Sequence, residues 1–264
     1  MSPIAMRVKV CLARPWTFTP GQHAYIYMPF VGLWTAHPFS VAWTDEDVEE
    51  NLSEKDSLPR SIDDITSRKR NIYFLIRRMK GFTNNLYVKA EKAGGKLKTT
   101  ALLEGPYNQQ TLHSYGTVIL IAAGIGITHI VPHVHDLVRG YGNGSVAARR
   151  VLLIWSVRTL EELDLIRDWM TIILALPGRQ EVLRVMLYVF QLDESKIDFP
   201  STTIQVFPGI AQFGSIMDEE VKNSIGSIGV SVCGIGAVAD EVRLASRKWM
   251  DKVNIEFMEE SFSW

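Results

Sequence analysis

The chain has 264 residues, a formal net charge of −1, 47% apolar and 22% charged residues, which suits one large or two modest globular domains and argues against a nucleic-acid partner. Its two cysteines, Cys11 and Cys233, exclude a disulfide framework and any four-cysteine zinc or iron–sulfur site. Met1 to Arg7 holds no apolar core of signal-peptide length. The longest apolar stretch, Val118 to Val134, is broken by Gly124, Gly126, His129, Pro132 and His133, so it reads as strand, turn and helix and not as a membrane span.

The first third reads as short strands divided by turn signals. Met6 to Leu12 alternates, with Val8, Val10 and Leu12 on one face. Pro20-Gly21 is a turn, His23 to Met28 a second strand stopped by Pro29, and Phe39 to Trp43 a third. Asn71 to Arg77 places Ile72, Phe74 and Ile76 at period two, and Leu97 to Leu103 follows as a further strand. Short strands without intervening helices predict an antiparallel β-barrel. Thr44 to Arg70 is rich in charge and poor in apolar residues and reads as a mobile insertion between two barrel strands.

From Gly116 the pattern changes. Val118 to Ala122, Val151 to Val157, Val182 to Phe190, Thr202 to Phe207, Gly229 to Cys233 and Val253 to Met258 read as strands. Helical spacing runs to Arg139, over Leu160 to Leu174 and over Ala237 to Met250. Strands alternating with helices predict a parallel sheet in an α/β domain. The expected division is a barrel over 1–112 and an α/β domain over 113–264.

Four segments carry chemistry, each with a plainer alternative. Gly124-x-Gly126-x-Thr128 joins a strand to a helix, where glycines admit a phosphate to the helix N-terminus or simply make a tight turn. The third glycine of the dinucleotide fingerprint is absent. Arg158, closing the next strand, suits a 2′-phosphate or is an ordinary exposed arginine. His37-Pro38-Phe39-Ser40 offers a hydroxyl to a flat heteroaromatic edge or is a loop–strand junction. Arg77 to Leu86 sets charges beside Gly81, with Thr83 as the expected helix N-cap, and suits a phosphate or solvated charges. His133 and His135, two apart on a helix, point to different sides and do not read as a metal pair, and no metal site is expected.

Taken in order, these segments together with Glu104-Gly105-Pro106-Tyr107, Cys233-Gly234 and the terminal Glu259-Glu260-Ser261-Phe262-Ser263-Trp264 resemble the ferredoxin–NADP reductase superfamily. Within it the chain is similar to the ferric reductases and NADPH oxidases, and to fungal ferric-chelate reductases in particular. Pro20-Gly21-Gln22-His23 and the C-terminal sequence favour the ferric-reductase branch. The resemblance implies an antiparallel flavin-binding barrel followed by a parallel-sheet nicotinamide-binding α/β domain, with FAD and NADPH as cofactors. It puts His37, Pro38, Phe39 and Ser40 along the flavin ring, with Ser40 near its reactive edge. It puts Arg77, Gly81, Phe82 and Thr83 at the FAD pyrophosphate, and Gly124, Gly126 and Thr128 at the NADPH phosphates and ribose. Arg158 falls at the 2′-phosphate, Cys233 and Gly234 beside the nicotinamide, and Phe262 or Trp264 over the flavin face. Ser40, Cys233, Phe262 and Trp264 are thus the expected catalytic residues.

The chain departs from the family pattern at three places. His129 and Ile235 stand where prolines are usual, and Gly209-Ile210-Ala211 where Gly-Arg-Pro is common. The barrel is expected to be N-terminally incomplete. The implied role is a ferric-chelate reductase dehydrogenase domain serving iron uptake at the cytosolic face of a membrane, the plasma membrane in particular. A haem-bearing transmembrane domain or a ferric chelate would take the electrons; alone, the chain is expected to be soluble. An NADPH oxidase, a soluble flavin reductase or diaphorase, and a degenerate non-catalytic domain are the rival readings.

Overall fold

The computed structural model describes residues 5–14, 16–44, 71–192 and 201–260. The expected mobile insertion, beyond Thr44, lies outside the described residues, as do Phe262 and Trp264. The chain divides into two compact units, Met1–Gln110 and Thr111–Trp264. No helix among the described residues is long and apolar enough to cross a membrane.

Unit 1 is built from two antiparallel three-stranded sheets around one core. β1 (Ala5–Cys11), β5 (Asn71–Arg77) and β4 (Trp43–Thr44) form the first, in the order β1-β5-β4. β3 (Ala36–Ser40), β2 (His23–Tyr27) and β6 (Leu102–Tyr107) form the second, in the order β3-β2-β6. The β1–β5 register pairs Met6 with Ile76, Val8 with Phe74 and Val10 with Ile72, so the period-two residues of both strands share a face. Ala24 and Ile26, alternate residues of β2, close the core from the second sheet, and Phe82, Leu86 and Tyr87 of helix α1 (Phe82–Lys92) complete it.

Two predicted strands are redrawn. Phe39 to Trp43 is not one strand. The chain passes from one sheet to the other within it, because the Val41 amide donates to Gln22 O (3.0 Å) in the second sheet and the Ala42 amide to Tyr73 O (2.8 Å) in the first. Leu97 to Leu103 enters a strand only at Leu102. Leu97 and Ala101 pack against the core from outside any ladder, so the alternation reported side-chain burial and not backbone pairing.

Unit 2 is a six-stranded parallel sheet in the order β10-β9-β8-β7-β11-β12. Its strands are β7 (Thr117–Ala123), β8 (Arg150–Val157), β9 (Leu183–Val189), β10 (Ile204–Pro208), β11 (Ile228–Cys233) and β12 (Ile255–Glu260). β7 and β11 are buried almost throughout, which explains their unbroken apolar runs. Helices α2 (Ile127–Asn143), α3 (Arg167–Ala175), α4 (Arg179–Val182), α5 (Phe213–Lys222) and α6 (Gly236–Met250) connect them. The single helix expected over Leu160 to Leu174 is a 3₁₀ turn, Leu160–Leu165, followed by α3. Ile166 breaks it at φ −125°, ψ 11°, its side chain fully buried.

The chain lays strands β7 to β10 outward on one side and then returns to place β11 on the other side of β7. The carboxyl ends of β7 and β11 therefore flank the point where the winding reverses, which is where open parallel sheets hold ligands.

At the opposite edge Arg150 opens β8 and meets Glu220 of α5 through two bonds, Nε to Oε2 at 2.6 Å and Nη2 to Oε1 at 2.8 Å. Glu220 is almost fully buried. Replacing Glu220 with alanine strands the guanidinium and is expected to destabilise the chain by about 3 kcal/mol, read from urea unfolding midpoints.

Candidate functional site

In unit 1 the His37–Ser40 segment and the start of α1 come together. The His37 ring stacks on Phe82 with centroids 4.5 Å apart and planes at 30°, and Phe39 lies 6.4 Å from the same ring. His37 Nε2 is 3.2 Å from Thr35 Oγ1. Ser40 ends β3 opposite His23 of β2. Its hydroxyl is buried and has no partner among the described residues. A buried hydroxyl without a partner costs free energy, so its retention points to a ligand that completes it.

Gly81 precedes α1 at φ 71°, ψ −131°, a conformation that only glycine adopts readily, and no atom lies within 4 Å of where its Cβ would be. No side chain caps the helix, so its first amides keep their donors for an anion. Thr83 is not the N-cap expected of it. Its Oγ1 accepts the Met79 amide at 2.9 Å and ties down the turn ahead of the helix instead. Arg78 is held by Nε donating to Asn84 Oδ1 (3.0 Å) and by lying 4.2 Å over the Tyr87 ring. Arg77 ends β5, half-buried.

In unit 2 the two glycines of the β7–α2 loop do different work. Gly124 has φ +53° and open space where a Cβ would lie. A Cβ on Gly126 would stand 2.1 Å from the Cys233 carbonyl oxygen, and one on Gly234 2.7 Å from the Ala123 Cβ. Gly126 and Gly234 thus let the β7 loop and the end of β11 interlock, and Gly124 is the glycine that faces open space. Trp155, to which sequence reasoning assigned no role, donates its indole N–H to Gly124 O at 3.0 Å and fixes the loop. An indole in a buried strand needs such a partner, and that requirement was the available signal. Thr128 lies buried in the first turn of α2.

Arg158 follows β8 and is exposed. Its amide donates to Glu162 Oε1 at 3.1 Å and its carbonyl accepts the Gln191 amide at 2.8 Å. Glu162, which sequence reasoning passed over, is buried in the 3₁₀ turn that follows β8 and Arg158. Ile210 and Ile235, two of the departures from the family pattern, are exposed beyond β10 and β11, whereas His129 is buried. His133 is fully buried, edge-on to His129 at 5.4 Å. Burial first, then its histidine neighbours, lowers its pKa well below the ordinary value, so it sits in the core as a neutral ring.

Cys233 is buried at the end of β11, opposite Glu260 of β12. Burial, with Glu260 adding to it, pushes its thiol up to about 12. It is therefore a protonated thiol at neutral pH, suited to forming a small wall and not to acting as a thiolate.

Two sets of groups thus stand ready in one chain: a buried unpartnered hydroxyl and an uncapped helix start in unit 1, and an open glycine loop at the sheet's switch point in unit 2. That is the layout of a flavin- and nicotinamide-binding reductase. Residues 4–111 match the family model of an FAD-binding domain, and residues 115–196 that of a ferric reductase NAD binding domain. The chain belongs to the ferric reductase family. It is 28% identical over 164 residues to the probable cell surface ferric reductase kap2 of Aspergillus oryzae, covering 61% of this chain and 20% of that protein. It is 23% identical over 196 residues to ferric/cupric reductase transmembrane component 2 of Saccharomyces cerevisiae, covering 74% and 23%. The chain therefore spans about a fifth of the length of these relatives. In fold it is similar to the CS-b5R domains of human Ncb5or in the NAD+ form (TM-score 0.56, 18% identity, 97% of this chain and 65% of that one). It is similar also to the ferredoxin-NADP+ reductase of Plasmodium falciparum (TM-score 0.51, 13% identity, 97% and 90%). The expected order of antiparallel strands followed by a parallel α/β sheet is the one observed.

Two outcomes test these assignments. Ser40→Ala is expected to leave the FAD-free chain as stable or up to about 1 kcal/mol more stable, while weakening FAD about tenfold, measured by thermal unfolding and flavin titration. In the native chain, iodoacetamide at pH 8 is expected to modify exposed Cys11 and spare Cys233, read by peptide mass; rapid labelling of Cys233 would contradict its buried, protonated state.

Proposed function

We propose that this chain is the dehydrogenase portion of a ferric-chelate reductase, taking hydride from NADPH onto FAD and sending electrons toward haem or ferric iron. Two observations carry the reading: His37 and Phe39 of β3 meet Phe82 at the uncapped start of α1, and the same strand ends in the buried, unpartnered Ser40 hydroxyl. These residues fit FAD. Bound FAD supplies two-electron acceptance and one-electron release, which is chemistry of the cofactor itself.

The chain's own residues bind, orient and exclude. Ser40 donates its hydroxyl to the flavin edge. His37, Pro38, Phe39 and Phe82 supply an apolar wall that keeps water from that edge. The amides after Gly81 and the charge of Arg77 face the FAD pyrophosphate, and Thr83 holds the turn that presents them. Gly124 opens the backbone to the dinucleotide phosphates, with Gly126 and Thr128 shaping the helix start behind it. Cys233 and Gly234 border the nicotinamide as a small, uncharged surface. Phe262 or Trp264, which lie outside the described residues, would be the aromatic ring over the flavin face. The electrons pass to a haem-bearing transmembrane domain at the cytosolic face of the plasma membrane, where the activity serves iron uptake. The names of the Aspergillus and Saccharomyces relatives, a cell surface ferric reductase and a transmembrane component, support a membrane setting.

The choice of nucleotide rests on two opposed charges at the end of β8. Arg158 attracts a 2′-phosphate, and the Glu162 carboxylate beside its backbone repels one. Arg158→Ala is expected to lower the NADPH over NADH ratio of kcat/KM about tenfold, roughly 1.4 kcal/mol. Glu162→Gln keeps an acceptor for the Arg158 amide but removes the charge, and is expected to raise that ratio roughly fivefold, about 1 kcal/mol. Steady-state diaphorase assays with both nucleotides decide it, and equal ratios in all three proteins would refute the assignment.

A further inference from the structure

The turn joining β2 to β3 carries an apolar knuckle that the core of unit 1 does not use. Its inward residues are accounted for, since Met28 and Val31 are buried. Phe30, Leu33 and Trp34 face outward, at 57%, 63% and 91% exposure. The turn holds this shape by its own hydrogen bonds. The amides of Val31 and Gly32 both donate to Met28 O (2.9 and 3.0 Å), and the Tyr27 hydroxyl donates to Leu33 O (2.5 Å). Single exposed apolar residues are ordinary, but three large ones within five positions on one fixed protruding turn are not.

Positive charge lies next to the knuckle. Lys89 Nζ sits 4.1 Å over the Phe30 ring, and the Cβ position of Gly32 lies 3.5 Å from Phe82 at the start of the same helix. Lys89 and Lys92 both occupy the last turn of α1. From Arg77 to Lys98 the sequence has seven Lys and Arg residues and one carboxylate, Glu91.

We propose that this knuckle inserts into the headgroup layer of an anionic lipid bilayer, with Trp34 and Leu33 entering the interface and Lys89 and Lys92 meeting lipid phosphates. A tryptophan beside other large apolar side chains, flanked by lysines, is the chemistry of an interfacial anchor. A protein partner fits less well. Stable protein interfaces cover about 800 Å² on each side and are depleted in lysine, whereas this surface is a small convex tip beside a lysine-rich helix. The inference rests on the surface of unit 1 and stands apart from the cofactor assignments.

The test is co-sedimentation of the full chain with vesicles of phosphatidylcholine alone and of phosphatidylcholine containing phosphatidylserine, at low salt. Binding is expected to the anionic vesicles and to be about tenfold or more weaker to the neutral ones. Leu33→Ser/Trp34→Ser and Lys89→Glu/Lys92→Glu are each expected to weaken it by about tenfold or more, with circular dichroism and melting midpoint unchanged. Brominated lipid is expected to quench tryptophan emission in the parent and to lose that quenching in Leu33→Ser/Trp34→Ser. Absence of binding, or binding indifferent to Leu33→Ser/Trp34→Ser, overturns the proposal. So does either of two other results for that variant: loss of self-association by the chain, which would make the knuckle a contact between copies, or a tenfold loss of FAD affinity, which would make it part of the cofactor site.

Discussion

Gly126 and the carbonyl of Cys233 lie so close that no side chain fits between them, and a Cβ there would stand 2.1 Å from the oxygen. The candidate nucleotide site depends on that contact. β7 and β11 are hydrogen-bonded neighbours although β8, β9 and β10 separate them in the chain, and their carboxyl ends must lie side by side for the winding to reverse there. With Gly234 pressed on Ala123 in the same way, the loop after β7 has one course open to it, and the free space falls at Gly124. The Trp155 indole then fixes the Gly124 carbonyl from β8. A loop whose shape is set by three neighbouring strands requires little reordering when a ligand arrives, which is the condition for binding energy to be expressed.

Unit 1 reaches a comparable result by a different route. The chain changes sheets at Val41 and Ala42, and β3 ends at Ser40, whose buried hydroxyl has no partner among the described residues. Phe82 at the start of α1 packs against both His37 and Phe39. The segment that ends in Ser40 and the uncapped helix start are thereby tied together by one aromatic cluster. The unit carries an unsatisfied group at a cost to its own stability, in the manner of sites shaped for something other than folding.

Burial decides which ionisable groups can take part. Cys233 is kept a thiol by its surroundings and is not suited to acting as a thiolate. Glu162 is held in place as the acceptor of the Arg158 amide.

The sequence by itself determined the order of architectures, because period-two alternation and strand–helix alternation are local patterns that hydrophobic burial imposes directly. It also singled out His-Pro-Phe-Ser and the turn glycines of the two candidate sites, since such motifs are local as well. Where it erred, at the run from Phe39 to Trp43 and at Leu97 to Leu103, apolar spacing was right about burial but silent about which sheet the backbone would join. The N-cap at Thr83 failed for a related reason, because a hydroxyl can take any nearby amide and it was the turn geometry that offered it Met79. Trp155, Glu162 and the division of labour between Gly124 and Gly126 were decided by tertiary structure alone. Each depends on a contact across strands distant in the chain, and such a contact is fixed by the packing of backbones and leaves no periodic trace in the sequence.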